Sequence, residues 1–263
     1  MTSGARKSLG RPTSSWSIRR RTVGLVLIVA LVICLLAVIA FFRLRAAGPP
    51  EPEQQDLLLL TPESVGKVEA AAKAGDIHAQ STLGVAHLRG SEHVPKNVTA
   101  AVYWFHRIAD RDRAEHDQVV GRMRSLLEER RLTTNREQQR RLELEYLGLV
   151  QKKLAFELAF VGLIEVYSGG HGSSYANPAL ARRYMRQGAA YGFASAQRML
   201  GMAYLFGLLD VPRNTSQGLK LLHAAAAQGD RAAEYLLADW YRWGMVVPAN
   251  ADAARYWFGR TAG

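Results

Sequence analysis

The chain has 263 residues, 48% of them hydrophobic and 22% charged, with a single cysteine. This size and balance fit one or two domains and exclude collagen-like, disulfide-built and wholly disordered chains. Cys34 has no intrachain partner, so neither an internal disulfide nor a cysteine-based zinc cluster is available. The formal charge of +11 looks like that of a nucleic-acid binder until it is located. Residues 1–50 carry eight basic and no acidic residues, whereas beyond them 26 basic residues meet 23 acidic ones. The basicity belongs to one end, and no nucleic-acid partner is expected.

Residues 23–42 form a run of twenty without a charge. A helix of that length spans roughly 30 Å, the thickness of a bilayer's hydrocarbon core, and satisfies its own backbone hydrogen bonds in lipid. Six basic residues precede the run, with Arg19, Arg20 and Arg21 abutting it, and only Arg43 and Arg45 follow. The asymmetry predicts a cytoplasmic tail (1–22), a transmembrane helix (23–42) and everything beyond on the far side. The run is longer than a signal-peptide core, and two arginines separate it from the small residues after it, which favours a retained anchor. Residues 43–60 read as a Pro-rich, acidic, extended linker. Thr61-Pro62-Glu63 then reads as a helix start: N-cap, first helical position, and an acid at the positive end.

From there the chain repeats itself. Gly170, Gly207 and Gly244 recur every 37 residues, each preceded by the same array: Ala159, Ala196, Ala233; Leu163, Leu200, Leu237; Tyr167, Tyr204, Tyr241. Asn177, Asn214 and Asn250 follow the glycines, and an earlier copy carries Leu83-Gly84, Gly90, Asn97 and Trp104-Phe105. A degenerate second copy has Leu127 in place of the glycine, and the following copy begins six residues late, which places an insertion between Tyr146 and Ala159. About five units thus cover residues 61–263, with a leading half-unit at 62–74. Apolar and small residues spaced three and four apart make each unit two amphipathic helices. The glycine ends the first helix in a left-handed conformation, and the asparagine caps the second. One helix pair cannot bury its stripe alone; stacked pairs bury a continuous core and present an extended concave face.

The pattern Ala196-Gln197, Leu200-Gly201, Tyr204, Gly207, with Val211-Pro212-Arg213-Asn214 and the closing Ala225-Ala226, resembles the Sel1-like repeat, a relative of the tetratricopeptide repeat. The fold expected is all-α: a right-handed superhelical α-solenoid of antiparallel helix pairs, preceded by one transmembrane helix. Residues 111–155 fit the pattern poorly, and the charged run 136–145 is also compatible with a longer helical hairpin. The resemblance implies an adaptor. Such repeats are similar to those of bacterial envelope and secreted proteins that regulate exopolysaccharide or meet host factors, and of eukaryotic membrane-protein quality-control scaffolds.

A search for chemistry returns little. Seven histidines, His78, His87, His93, His106, His116, His171 and His223, form no dense ligand spacing. The run from Gly169 to Ser174 invites a phosphate-loop reading, but no Lys-Ser/Thr follows and no strand precedes it, so it reads as an inter-helix turn. The lone cysteine lies in the apolar run, and no nucleophile elbow exists. No enzyme activity, cofactor or metal is expected. Asn97-Val98-Thr99 and Asn214-Thr215-Ser216 match the glycosylation pattern, yet both asparagines already occupy the cap column.

Aromatic residues remain. Tyr103-Trp104-Phe105 and Tyr256-Trp257-Phe258 read as core, whereas Tyr204, Tyr241, Trp240 and Trp243 are the partner-binding candidates, on the concave face or at the C-terminal end. The expected function is a single-pass, membrane-anchored interaction scaffold acting in the cell envelope outside the cytoplasm, which is the periplasm if the source is a Gram-negative bacterium. A glycan-binding or exopolysaccharide-related accessory factor is the alternative, with the concave aromatics stacking on sugar rings. In a third reading the basic tail recruits partners and the repeats are passive.

Overall fold

A computed structural model describes residues 60–111, 113–172 and 174–261. The expected tail, the transmembrane segment 23–42 and all but the last residue of the 43–60 linker lie outside the described residues. Among those described there are ten α-helices and no strand, and none of the helices is long and apolar enough to cross a membrane.

The leading half-unit is helix α1 (Pro62–Lys73), started as its sequence dictates. Thr61 Oγ1 accepts a hydrogen bond from the Ser64 N–H at 3.2 Å, and Pro62 opens the helix. It packs on α2 (Ile77–Arg89), and α2 packs on α3 (Val98–Ala109). The later pairs follow the same plan: α7 (Ala194–Phe206) with α8 (Thr215–Ala227), then α9 (Arg231–Trp243) with α10 (Ala251–Thr261).

The asparagine column performs two tasks at once. The Oδ1 atoms of Asn97, Asn177, Asn214 and Asn250 accept hydrogen bonds from backbone N–H groups in the first turn of the helix each begins. Their own N–H groups donate backwards to the carbonyls of His87, Tyr167, Tyr204 and Tyr241, at 2.7–2.8 Å. Each asparagine therefore satisfies an orphan donor at the start of one helix and an orphan acceptor at the end of the one before, which fixes the hairpin between them. The glycine column is less uniform. Gly207 and Gly244 are left-handed, at φ +68° and +64°, and Gly90 has φ +81° with extended ψ. Gly170 departs from expectation. Its helix ends at Tyr167, and the positive φ of +83° falls on Gly169.

Between the first and third units the molecule leaves the regular plan. Helix α4 (Arg113–Leu132) packs along the start of α5 (Arg136–Tyr167), a continuous helix of 32 residues. The six-residue surplus near 146–159 is absorbed without a break, and residues 113–153 form a long helical hairpin. The last turns of α5 then pair with α6 (Pro178–Ala190) as the third unit. With the hairpin outside, α2 and α3 pack directly on α5. Phe105 of α3, fully buried, lies between two glycines, Gly84 of α2 and Gly162 of α5, and a methyl group on either would overlap its ring. One core cluster runs continuously from Ile77 through Phe105, Phe160 and Leu163 to Val211.

Two glycines on α5 should therefore respond in opposite senses. Gly148 has nothing within 4 Å of where a Cβ would stand, whereas Gly162 is closed by Phe105. Gly148→Ala should raise stability by about 0.5–1 kcal/mol through backbone entropy. Gly162→Ala should lower it by about 1–3 kcal/mol through overpacking. Urea unfolding measures both, and shifts of the same sign would contradict the packing.

Candidate interaction surface

The tyrosine column and the second-helix histidines meet across units. His106 Nε2 lies 2.9 Å from the Tyr167 hydroxyl, and His223 Nε2 lies 3.4 Å from that of Tyr241. In both cases a histidine on the second helix of one repeat reaches a tyrosine on the first helix of the next. The same contact thus joins the first and third units and the fourth and fifth. The hydroxyl of Tyr184 adds a 3.3 Å contact to His106 Nδ1, and the Tyr167 and Tyr184 rings stack at 5.9 Å. Burial pushes the Tyr167 phenol up and that of Tyr184 to about 12, so both hydroxyls keep their protons. Asp230 forms a further strut: it caps α9 and holds Arg198 of α7 through both carboxylate oxygens, at 2.9 and 3.1 Å.

The four partner-binding candidates separate. Trp240 is fully buried, edge-on to Phe206 at 6.0 Å, so it belongs to the core and leaves the candidate surface. Its indole nitrogen has no hydrogen-bond partner among the described residues. Tyr204 and Tyr241 are half-buried, and the hydroxyl of Tyr241 is committed to His223. Trp243 alone is open, 64% exposed, with the Arg242 guanidinium over its ring at 4.8 Å. Arg242 also faces Phe258 at 6.0 Å, linking the ends of α9 and α10. The triplets expected in the core divide as well. Trp104, Phe105 and Trp257 are buried, but Tyr103 and Tyr256 stand exposed, each edge-on to its neighbouring tryptophan at 4.9 Å. Tyr235, Trp243, Met245 and Tyr256 are the last repeat's exposed large hydrophobic residues. Tyr256 was legible as one position off the buried stripe that Trp257 marks.

Two further histidines make defined contacts. His116 is buried, stacked on Tyr191 at 5.0 Å and edge-on to Phe156 and Phe193, where it pins α4 to the third unit. His171 sits in the Gly169–Gly172 turn, its Nε2 3.1 Å from a Glu165 oxygen. Among the described residues no group of three or more His, Cys, Asp or Glu side chains is placed to hold a metal ion.

A model of the Sel1 repeat matches residues 77–112, 154–192, 194–230 and 231–262, more than half of the chain. The chain belongs to the Sel1 repeat family. Of the five copies read from the sequence, four are matched, and the family match passes over the hairpin at 113–153. Sel1 repeats generally mediate protein–protein interaction. Among solved structures the chain is similar to a Sel1 repeat protein from Oxalobacter formigenes, at 24% identity over 76% of this chain and 55% of that one, with a TM-score of 0.35. It is also similar to a protective antigen of uropathogenic Escherichia coli with an SLR fold, at 21% identity over 76% and 40%, TM-score 0.35. An immunity protein from Pseudomonas aeruginosa matches at 18% identity over 85% and 80%, TM-score 0.38. The chain spans about half the length of the first two. No curated protein matches.

The His223 strut implies a pH response. Burial holds this imidazole below its ordinary value, so the unfolded chain takes up a proton first as the pH falls below about 6.5. Stability should decline on acidification from that point and level off once the folded pKa is passed. His223→Gln should flatten part of the decline in melting temperature between pH 7.5 and 5. An unchanged slope would show that His223 is not so held.

Proposed function

We propose that this chain is a membrane-anchored, single-pass interaction scaffold whose Sel1 repeats act outside the cytoplasm, in the cell envelope. The twenty-residue uncharged run at 23–42 and the excess of basic residues before it support the anchor and its orientation. Membership of a repeat family that binds proteins supports the scaffold. In this reading the stacked pairs curve as a right-handed superhelix, and the repeats bind a partner rather than carry out chemistry.

The observation that carries the reading is Trp243. A tryptophan two-thirds open to solvent, braced by Arg242 in a repeat that also exposes Met245 and Tyr256, is an aromatic anchor of the kind that dominates interface energies. Tyr204 and Tyr241 contribute at most their exposed edges to a surface on the first helices.

Co-purification from native membranes followed by quantitative mass spectrometry tests the proposal. Trp243→Ala should lower recovery of the specific partner at least about tenfold, the cost of a hot-spot truncation, while Tyr103→Ala, at an exposed aromatic of the first repeat, leaves it unchanged. Equal recovery from both variants refutes the anchor. Retention on immobilised polysaccharide, lost in Trp243→Ala, would favour the glycan-binding alternative instead.

A further inference from the structure

Helix α5 has two apolar faces along its first half. One, with Leu142 buried and Tyr146 and Leu149 half-buried, is turned to α4. The other has no partner among the described residues. Leu144, Leu147, Val150 and Leu154 follow at helical spacing and are between 37% and 62% exposed. Continued towards the hairpin tip at the same spacing, this strip ends in Arg140 and Arg136. Over 18 residues it is roughly 27 Å long.

The charges around it are unequal. The acids of this stretch are spent inside the hairpin: Glu137 on Arg141 at 3.7 Å, Glu143 on Arg130 at 3.8 Å, and Glu145 on Arg122 at 2.8 Å. Neither Arg136 nor Arg140 has an ion pair among the described residues. The strip is thus an aliphatic ridge with uncompensated positive charge at one end.

We propose that this strip, Arg136 to Leu154, is a docking site for an amphipathic helix of a partner protein, aliphatic along its length and acidic at the end that meets the hairpin tip. The inference rests on the scaffold reading but uses a surface remote in sequence from Trp243, all of it but Leu154 outside the stretches that the family match covers. Aliphatic residues three and four apart fit the groove of a second helix, and the two arginines select its acidic end. A second copy of the chain fits less well. Parallel pairing sets these arginines against each other, and antiparallel pairing sets them against aliphatic residues.

The test uses the full chain and two fluorescent 18-residue helical peptides with the same leucine strip, one ending in three glutamates and one in three lysines. By anisotropy the glutamate peptide should bind at least tenfold more tightly than the lysine peptide. Leu147→Glu should abolish binding, and Arg136→Glu with Arg140→Glu should invert the preference, while Trp243→Ala changes neither. Because all these side chains are exposed, circular dichroism should be unaltered. Equal binding of the two peptides, or binding indifferent to Leu147→Glu, overturns the proposal. So does concentration-dependent dimerisation lost in Leu147→Glu, or binding to phosphatidylserine-containing vesicles lost in the arginine variants. Loss of partner recovery in Trp243→Ala without loss of peptide binding leaves this site standing beside that one.

Discussion

The arrangement of the repeats depends on a phenylalanine held between two glycines. Because Gly84 and Gly162 carry no side chain, α2 and α5 can close on opposite edges of the Phe105 ring, and the first unit stacks on residues 154–192 although 41 residues separate the two matched stretches. The close approach replaces what would otherwise be a void or a clash at the one joint where the period is broken, and core interiors tolerate neither. The His106–Tyr167 contact at this joint matches the His223–Tyr241 contact between the last two units. The chain is therefore spliced back into register after the excursion: the joint is made with the same parts as an ordinary one.

Much of this was legible in the sequence, because the repeat's punctuation is local. A helix start needs a side-chain acceptor, and Asn97, Asn177, Asn214 and Asn250 provide one each. A left-handed helix end needs a residue without a Cβ, and Gly207 and Gly244 are such residues. Where two glycines are adjacent the rule does not say which will take the strained position, and it is Gly169 rather than Gly170. The backward bond from each asparagine N–H was invisible because backbone donors leave no mark on composition. Trp240 and Trp243 were grouped as surface aromatics: three residues apart they lie only about 60° from each other round the helix, so periodicity alone did not separate them, and Trp243 differs in being the helix's last residue. One is covered by Phe206, and the other projects beside the terminal Gly244.

The hairpin was the hardest part to read. Periodicity identifies an amphipathic helix but not which of two apolar stripes will be covered, and α5 has both in its first half. Nor can a spacing of six extra residues distinguish an insertion made as a loop from one made as further helical turns. The structure takes the second course, and the charged run 136–145 belongs to the hairpin's ion pairs rather than to a repeat.

That course has a mechanical consequence. A loop inserted between repeats would leave whatever it carried free to wander, and a partner would have to order it on binding. Here the exposed strip shares one unbroken helix with Ala155, Phe156, Ala159, Phe160 and Leu163, all buried in the core, and His116 pins the accompanying α4 against Phe156, Tyr191 and Phe193. Backbone hydrogen bonds running without interruption from Arg136 to Tyr167 transmit the orientation of the core to the hairpin. The surface is ordered before anything binds, so association forfeits little conformational entropy. A Sel1 stack can in this way carry a differently shaped outer face without disturbing the joints that hold it together.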